Sequence, residues 1–180
     1  MASPLERIRT ELTDALDRAR EIADRVDDEA WSARPAPDQW SVAECLTHLN
    51  LTSQAFVPLI NDALRGASPS RGIPTRCRMD LTGRLLWLAM TINVPVKTTE
   101  RFVPTGRQPR ASVLSEFAAL QAELIDCVGR SEGTDLGARR VVSPFDGRLS
   151  YNLCSCFRII AAHQRQHLKQ AERAIAALRR

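Results

Sequence analysis

Apolar residues recur at helical spacing in four long stretches of the chain and in one shorter stretch. Positions three and four residues apart share one face of a helix, so each stretch predicts an amphipathic helix with one buried side. The alternation typical of β-strands is nearly missing, and Val141-Val142 is too short to build a sheet. The predicted helices cover residues 3–29, 41–66, 81–93 and 112–128, and from 150 to the C-terminus.

This pattern predicts an all-α protein, a bundle of four main helices plus one short accessory helix over residues 81–93. Its length suits one domain over residues 1–180. A loop of about a dozen residues joins the first two main helices, which favours antiparallel neighbours. The long excursion over residues 66–110 could carry the chain back across the bundle and leave the second and third main helices parallel.

Sequence signals for helix starts accompany the periodicity. Ser3 with Glu6, and Ser41 with Glu44, have the spacing of a capping box, in which each serine caps a helix and the glutamate bonds back to it. We expect Ser150 to cap the last helix in the same position.

The charge pattern argues against a nucleic-acid partner. The net charge is +4, but the arginines of the first helix alternate with acidic residues, as on a solvated helix face. No apolar run approaches the length of a membrane span, and no signal peptide precedes the first helix, so we expect a cytoplasmic protein. The five cysteines form no Cys-x-x-Cys pair, and we expect reduced thiols packed in the core.

The histidines are the candidate chemistry. Only three are present: His163 and His167 lie four residues apart within an apolar stripe, and His48 lies in the second main helix. Two imidazoles at this spacing can chelate one divalent ion, and a third ligand from a neighbouring helix would complete the site. Because Gln164 follows His163, the general-base glutamate of the His-Glu-x-x-His metalloproteases is missing. The alternative is that these are core histidines, each satisfied by one hydrogen bond.

Several segments resemble the DinB/YfiT-like superfamily. Its second-helix signature looks like residues 40–49, WSVAECLTHL, and the entry into its last helix looks like residues 143–150, SPFDGRLS, followed by residues 163–170, HQRQHLKQ. Residues 101–106, RFVPTG, are similar to a segment that precedes the third helix in many members. The resemblance spans nearly the whole chain, and its two histidine motifs are the specific part.

This resemblance implies a four-helix bundle with a long crossover, arranged up-down-down-up. It also implies a divalent metal bound by one histidine of the second main helix and two of the last, which correspond here to His48, His163 and His167. Many members have His-Pro where this chain has Ser143-Pro144, so the role of that histidine is open here.

The resemblance further implies a function. Three nitrogen ligands leave an open coordination position, and zinc or nickel suits such a set. Characterised members include thiol-dependent transferases and isomerases, so we expect a metal that activates a low-molecular-weight thiol for attack on a small-molecule substrate. Arg76, Arg158 and Arg165 are candidates for seating an anionic cofactor or substrate. A homodimer is compatible with such a bundle.

Two other functions fit the same ligands. A metal-hydroxide hydrolase would need a general acid or base, for which Glu44 is the nearest candidate beside its capping role. Cys45, one turn before His48, could be a fourth ligand or a nucleophile, although such a cysteine more often packs in the core. The third interpretation is a non-catalytic, stress-related bundle in which the metal is structural or absent.

Overall fold

A computed structural model describes residues 2–66, 75–92 and 98–179 of the chain. It is mostly helical, which confirms the predicted all-α class. A single turn of 3-10 helix covers Glu100–Phe102. The other elements are α1 Pro4–Asp24, α2 Asp28–Ser32, α3 Val42–Leu64, α4 Leu81–Thr91, α5 Arg110–Arg130, β1 Arg140–Val142, β2 Ser150–Asn152 and α6 Leu153–Leu178.

Helices α1, α3, α5 and α6 form the bundle, in which α1 and α3 each pack mainly against α5 and α6. Arg110, at the start of α5, donates to the carbonyl oxygen of Ala23 at the end of α1 over 3.0 Å, so these helices are antiparallel. Arg179, just after α6, donates to the carbonyl oxygen of Arg25, just after α1, over 3.0 Å. Helices α1 and α6 are therefore parallel.

Helices α3 and α5 run in the same direction. Near their starts, Asn50 donates to the carbonyl oxygen of Val113 over 3.0 Å. At their ends, Arg130 donates to Asn61. The order is therefore up-down-down-up, as predicted, and the crossover leaves the second and third main helices parallel. Helices α1 and α3 are antiparallel but lie across the diagonal of the bundle, so the prediction of adjacent helices was wrong in that respect.

The first predicted helix is divided in two. Helix α1 ends at Asp24 instead of near residue 29, and α2 begins a few residues later. The cause is a local cap, because the Asp27 side chain accepts a hydrogen bond from the backbone N–H of Ala30 over 2.8 Å and starts a new helix. The new direction of the chain buries Trp31, which is 2% exposed.

A small antiparallel sheet forms where we expected none. Strands β1 and β2 pair in register, with Val141 opposite Tyr151. Both side chains are buried, at 2% and 1% exposed. The two strands are too short to show an alternating pattern, and the burial of this central pair accounts for their pairing.

The last helix is capped by a different residue from the one predicted. Ser150 belongs to β2, and Asn152 is the N-cap of α6. The Asn152 side chain accepts from the backbone N–H of Ser155 over 2.8 Å. Asparagine and serine are comparable caps, so the sheet pairing of residue 150 decides between them.

Two cysteines form a disulfide, which corrects the prediction that all five are reduced. Cys77 and Cys154 are bonded, with their Cα atoms 5.1 Å apart and 77 positions between them in sequence. Cys45, Cys127 and Cys156 are unpaired and buried, as predicted. Disulfides are typical of oxidising compartments, so this bond argues against the predicted cytoplasmic location, which stays a prediction.

The accessory helix α4 packs against the start of α6. A Cβ atom at Gly83 would lie 2.1 Å from the Cβ of Ser155, so only glycine permits this approach. The Asp80 side chain caps α4 through the N–H of Gly83 and accepts from the Ser155 hydroxyl over 2.9 Å. The predicted end of this helix at Asn93 lies outside the described residues. Its outward side chains are exposed: Leu81, Leu85, Leu88 and Ile92.

None of the helices in the described ranges is both long enough and apolar enough to cross a membrane.

Candidate metal centre

Helix α3 presents His48 to the centre of the bundle, where it is 2% exposed. Its Nδ1 lies 2.7 Å from the carbonyl oxygen of Phe102. A carbonyl oxygen only accepts hydrogen bonds, so Nδ1 must carry the hydrogen and donate it. In the neutral ring the other nitrogen, Nε2, then has a lone pair available for a metal or a donor.

Helix α6 brings the other two histidines to the same point. The Nε2 atoms of His48 and His163 are 3.1 Å apart. The ring centroid of His167 lies 4.4 Å from that of His48 and 4.6 Å from that of His163. One nitrogen from each residue lies within 4.8 Å of the others, a spacing that one ion can bridge with small side-chain adjustments. The predicted meeting of the three imidazoles is therefore present.

All three rings are held neutral by their surroundings. Burial lowers the pKa of His48, although the hydrogen bond to Phe102 opposes the shift. Burial also lowers the pKa of His163 well below its ordinary value, and that of His167 to about 3, with smaller contributions from neighbouring positive charges. Neutral imidazole is the form that binds a metal, so at pH 7 the cluster offers three lone pairs.

The hydrogen bonding of the cluster is incomplete, and a cation would complete it. Burial covers Nδ1 of His167, which has no hydrogen-bond partner within the described part of the chain. The facing Nε2 atoms of His48 and His163 compete for at most one hydrogen between them. Buried polar atoms without partners are costly, and bound metal is one of the few remedies for clustered lone pairs. The residues present therefore fit a divalent ion better than they fit three separate core histidines.

Aromatic rings enclose the histidines. The Trp40 ring centroid is 5.0 Å from that of His48 and 5.8 Å from that of His167. Phe145 lies 5.7 Å from His163 and 5.0 Å from Phe102. These rings limit access of water and strengthen electrostatic interactions at the centre. The sequence reasoning missed these three aromatic residues as part of the site, although all lie in the segments that carry the family resemblance.

Ser143 occupies the loop beside this aromatic wall. It is 5% exposed, and its hydroxyl accepts from the backbone N–H of Phe145 over 3.3 Å. Its own N–H donates to the carbonyl oxygen of Leu149 over 2.8 Å. Where many members of the resembling family have histidine, this chain has a residue that orders the turn carrying Phe145.

The two weaker catalytic candidates have other roles. Glu44 accepts from the N–H of Ser41 over 2.9 Å and forms an ion pair with Arg34. Burial opposes ionisation of Glu44, but these hydrogen bonds outweigh it and lower the pKa of the carboxyl. Cys45 is fully buried among apolar side chains, which raises the pKa of its thiol to about 12. In the described ranges, the clustered potential ligands are the three histidines, without either of these residues.

The arginines proposed for an anion are engaged elsewhere. Arg158 and Arg165 both pair with Glu11 of α1, at 4.0 Å and 3.3 Å. Arg76 forms a backbone bridge with Asp135. These contacts give no support for an anion seated by these residues beside the histidines.

Comparison with known proteins gives one match. Neither the curated proteins nor the solved structures include a significant match to this chain. A family model described as the DinB superfamily matches residues 11–171, which include all three histidines and every helix of the bundle. The chain therefore belongs to the DinB superfamily.

Proposed function

We propose that the protein is a metal-dependent enzyme in which His48, His163 and His167 bind one divalent cation that activates a small thiol for transfer to an electrophilic small molecule. An isomerase that adds and then releases the thiol is the same chemistry. The observation that carries the proposal is the convergence of three buried neutral imidazoles on one point, with polar atoms left without partners. Membership of the DinB superfamily supports it.

The ligand set favours particular metals. Three nitrogen ligands without a carboxylate suit zinc or nickel, whereas the iron oxygenase site requires a carboxylate. A fourth position would stay open, as catalytic sites require.

The chain's own residues prepare the site for this chemistry. When bound, the cation would lower the pKa of a thiol in the open position, so that its sulfur is nucleophilic at neutral pH. The carbonyl of Phe102 fixes the tautomer and orientation of His48, as outer partners of metal ligands commonly do. Trp40 and Phe145 restrict water around the reacting sulfur. In the transfer the thiol proton passes to solvent, sulfur bonds to the electrophilic atom, and the leaving group departs with the bonding pair.

Thiol transfer fits the site better than hydrolysis does. A metal-hydroxide hydrolase requires a positioned acid or base, and the nearest candidate, Glu44, is occupied by Ser41 and Arg34. A thiol nucleophile needs no such group, because the cation itself promotes loss of the proton.

Metal content tests the first step of the proposal. Elemental analysis of tag-free wild type should find about one equivalent of zinc or nickel, and His163→Ala should lose it. The control is Cys45→Ala, which lies one turn from His48 and should retain the metal. No metal in wild type after reconstitution with zinc or nickel would refute the proposal.

The second step is tested with thiols. Metal-loaded wild type should consume an electrophile such as 1-chloro-2,4-dinitrobenzene in the presence of small thiols faster than chelated protein does. Activity that needs metal but no thiol would instead establish the hydrolase. Binding of metal without either activity, but with a loss of stability on chelation, would establish the structural role. The homodimer expected from the sequence stays a prediction that sedimentation of the wild type would test.

A further inference from the structure

A second concave site lies on the outer side of α6, where the end of α4 packs against it. The cavity has a volume of about 200 Å³. Three of its lining residues are cations, and the wall contributed by α4 is partly apolar. The side chains used in the argument are Met90, Thr91, Ala162, Arg165, Lys169 and Arg173.

The cations form a row with surplus positive charge. Arg165, Lys169 and Arg173 follow one another at intervals of four residues, so they lie on one face of the helix and repel each other. Glu11 compensates Arg165 from α1 over 3.3 Å. Within the described residues, Lys169 and Arg173 make no ion pair, and no acidic side chain lines the cavity. Like charges gathered around a concavity favour an anionic ligand.

The spacing of the cations indicates the shape of that anion. Four residues of α-helix advance by about 6 Å, so the row extends over about 12 Å. A single small anion such as phosphate would contact one or two members of such a row. Carboxylates separated along a short carbon chain would match the row, and the hydrocarbon between them could lie on Met90 and Ala162.

The cavity is separate from the histidine cluster. Lys169 follows His167 by two residues and Arg173 follows it by six, which turns their side chains through about 160° and 120° away from that of His167. The three histidines face α3 and the aromatic residues, whereas the cation row faces solvent beside α4. Anion binding here therefore does not require a metal.

We propose that this cavity is a binding site for a small organic polycarboxylate, held by Lys169, Arg173 and Arg165 against the apolar wall of α4. The proposal goes beyond the thiol chemistry and does not depend on it. It differs from the earlier expectation for Arg165, which placed that arginine beside the metal together with Arg76 and Arg158.

Calorimetry with tricarballylate at low ionic strength tests the site. The test variant is Lys169→Gln with Arg173→Gln, and the control is Arg84→Gln with Arg107→Gln, which removes the same charge from exposed positions outside the cavity. We expect wild type to bind tricarballylate, the test variant to bind at least tenfold more weakly, and the control to bind within twofold of wild type. Absence of binding to wild type, or an equal loss in the control, would overturn the proposal.

Two further arms separate this site from its alternatives. Inorganic phosphate should bind more weakly than tricarballylate, and tighter binding of phosphate would overturn the assignment to a polycarboxylate. His163→Ala should bind tricarballylate as wild type does, whatever its metal content. A loss of binding in His163→Ala would place the anion at the histidines and overturn a separate site, whereas failure of the metal analysis would leave this result unaffected.

Discussion

His48 donates its Nδ1 hydrogen to the carbonyl oxygen of Phe102 across 2.7 Å, and this bond directs the opposite nitrogen toward His163. A backbone carbonyl cannot exchange donor and acceptor roles, so it selects one tautomer of a neutral ring. The 3-10 turn that carries Phe102 is therefore part of the ligand geometry, although it contributes no ligand atom.

The tautomer of His48 is directly measurable. We expect long-range ¹H–¹⁵N spectra of metal-free protein at pH 7 to show a neutral His48 ring with hydrogen on Nδ1 only. Addition of zinc should shift the Nε2 resonance while the Nδ1 hydrogen is retained. A ring protonated on Nε2 in the metal-free protein would contradict the proposed hydrogen bond.

The buried histidines should make metal-free protein sensitive to acid. The pKa of His167 is about 3 in the folded protein, against an ordinary value of 6.5, so between these values the unfolded chain binds more protons than the folded one. Stability is therefore fully present above pH 6.5 and declines as the pH falls toward 3. At pH 5 the loss from this residue is about 2 kcal/mol, at about 1.4 kcal/mol per pH unit.

Urea unfolding of chelated protein at pH 7 and pH 5 measures this effect. His167→Gln should lose less stability than wild type between the two pH values, because glutamine does not titrate. Arg20→Gln, at an exposed position on α1, should follow the wild-type profile. Equal slopes in wild type and His167→Gln would show that His167 is not held neutral by the fold.

The Cys77–Cys154 bond predicts the thiol content of the protein. Unreduced protein unfolded in guanidinium should show three reactive thiols, and reduced protein should show five. Replacing both bonded cysteines with serine should lower the free energy of unfolding by up to about 4 kcal/mol, because the bond closes a long loop in the unfolded chain. The unpaired Cys127→Ser variant controls for loss of a buried thiol. Five reactive thiols before reduction would contradict the bond.

Local signals predicted the helices and most of the candidate site. Capping boxes at Ser3 and Ser41 marked the starts of α1 and α3, and both are present. The spacing of His163 and His167 put two imidazoles on one helix face, and the single remaining histidine completed the cluster. These predictions succeeded because each depends on residues close in sequence and on the 3.6-residue period.

The features that the sequence did not reveal depend on contacts between distant segments. The disulfide joins Cys77 to Cys154, and nothing near either residue signals the other. The partner of His48 is the backbone carbonyl of Phe102, a group that every residue type carries. The β1–β2 pairing depends on the burial of Tyr151, which only the packed bundle provides. Sequence periodicity does not encode such long-range pairings.

Gly83 should be essential for the docking of α4 on α6. A Cβ at this position would lie 2.1 Å from the Cβ of Ser155, so Gly83→Ala forces the helices apart. The expected loss is about 2 kcal/mol in the free energy of unfolding, as for overpacking in a core. Gly147→Ala is the matched control, because a Cβ there meets no atom within 4 Å. In a Ser155→Gly background the cost of Gly83→Ala should vanish, since the opposing Cβ is gone. An equal cost in both backgrounds would show that the loss comes from another source.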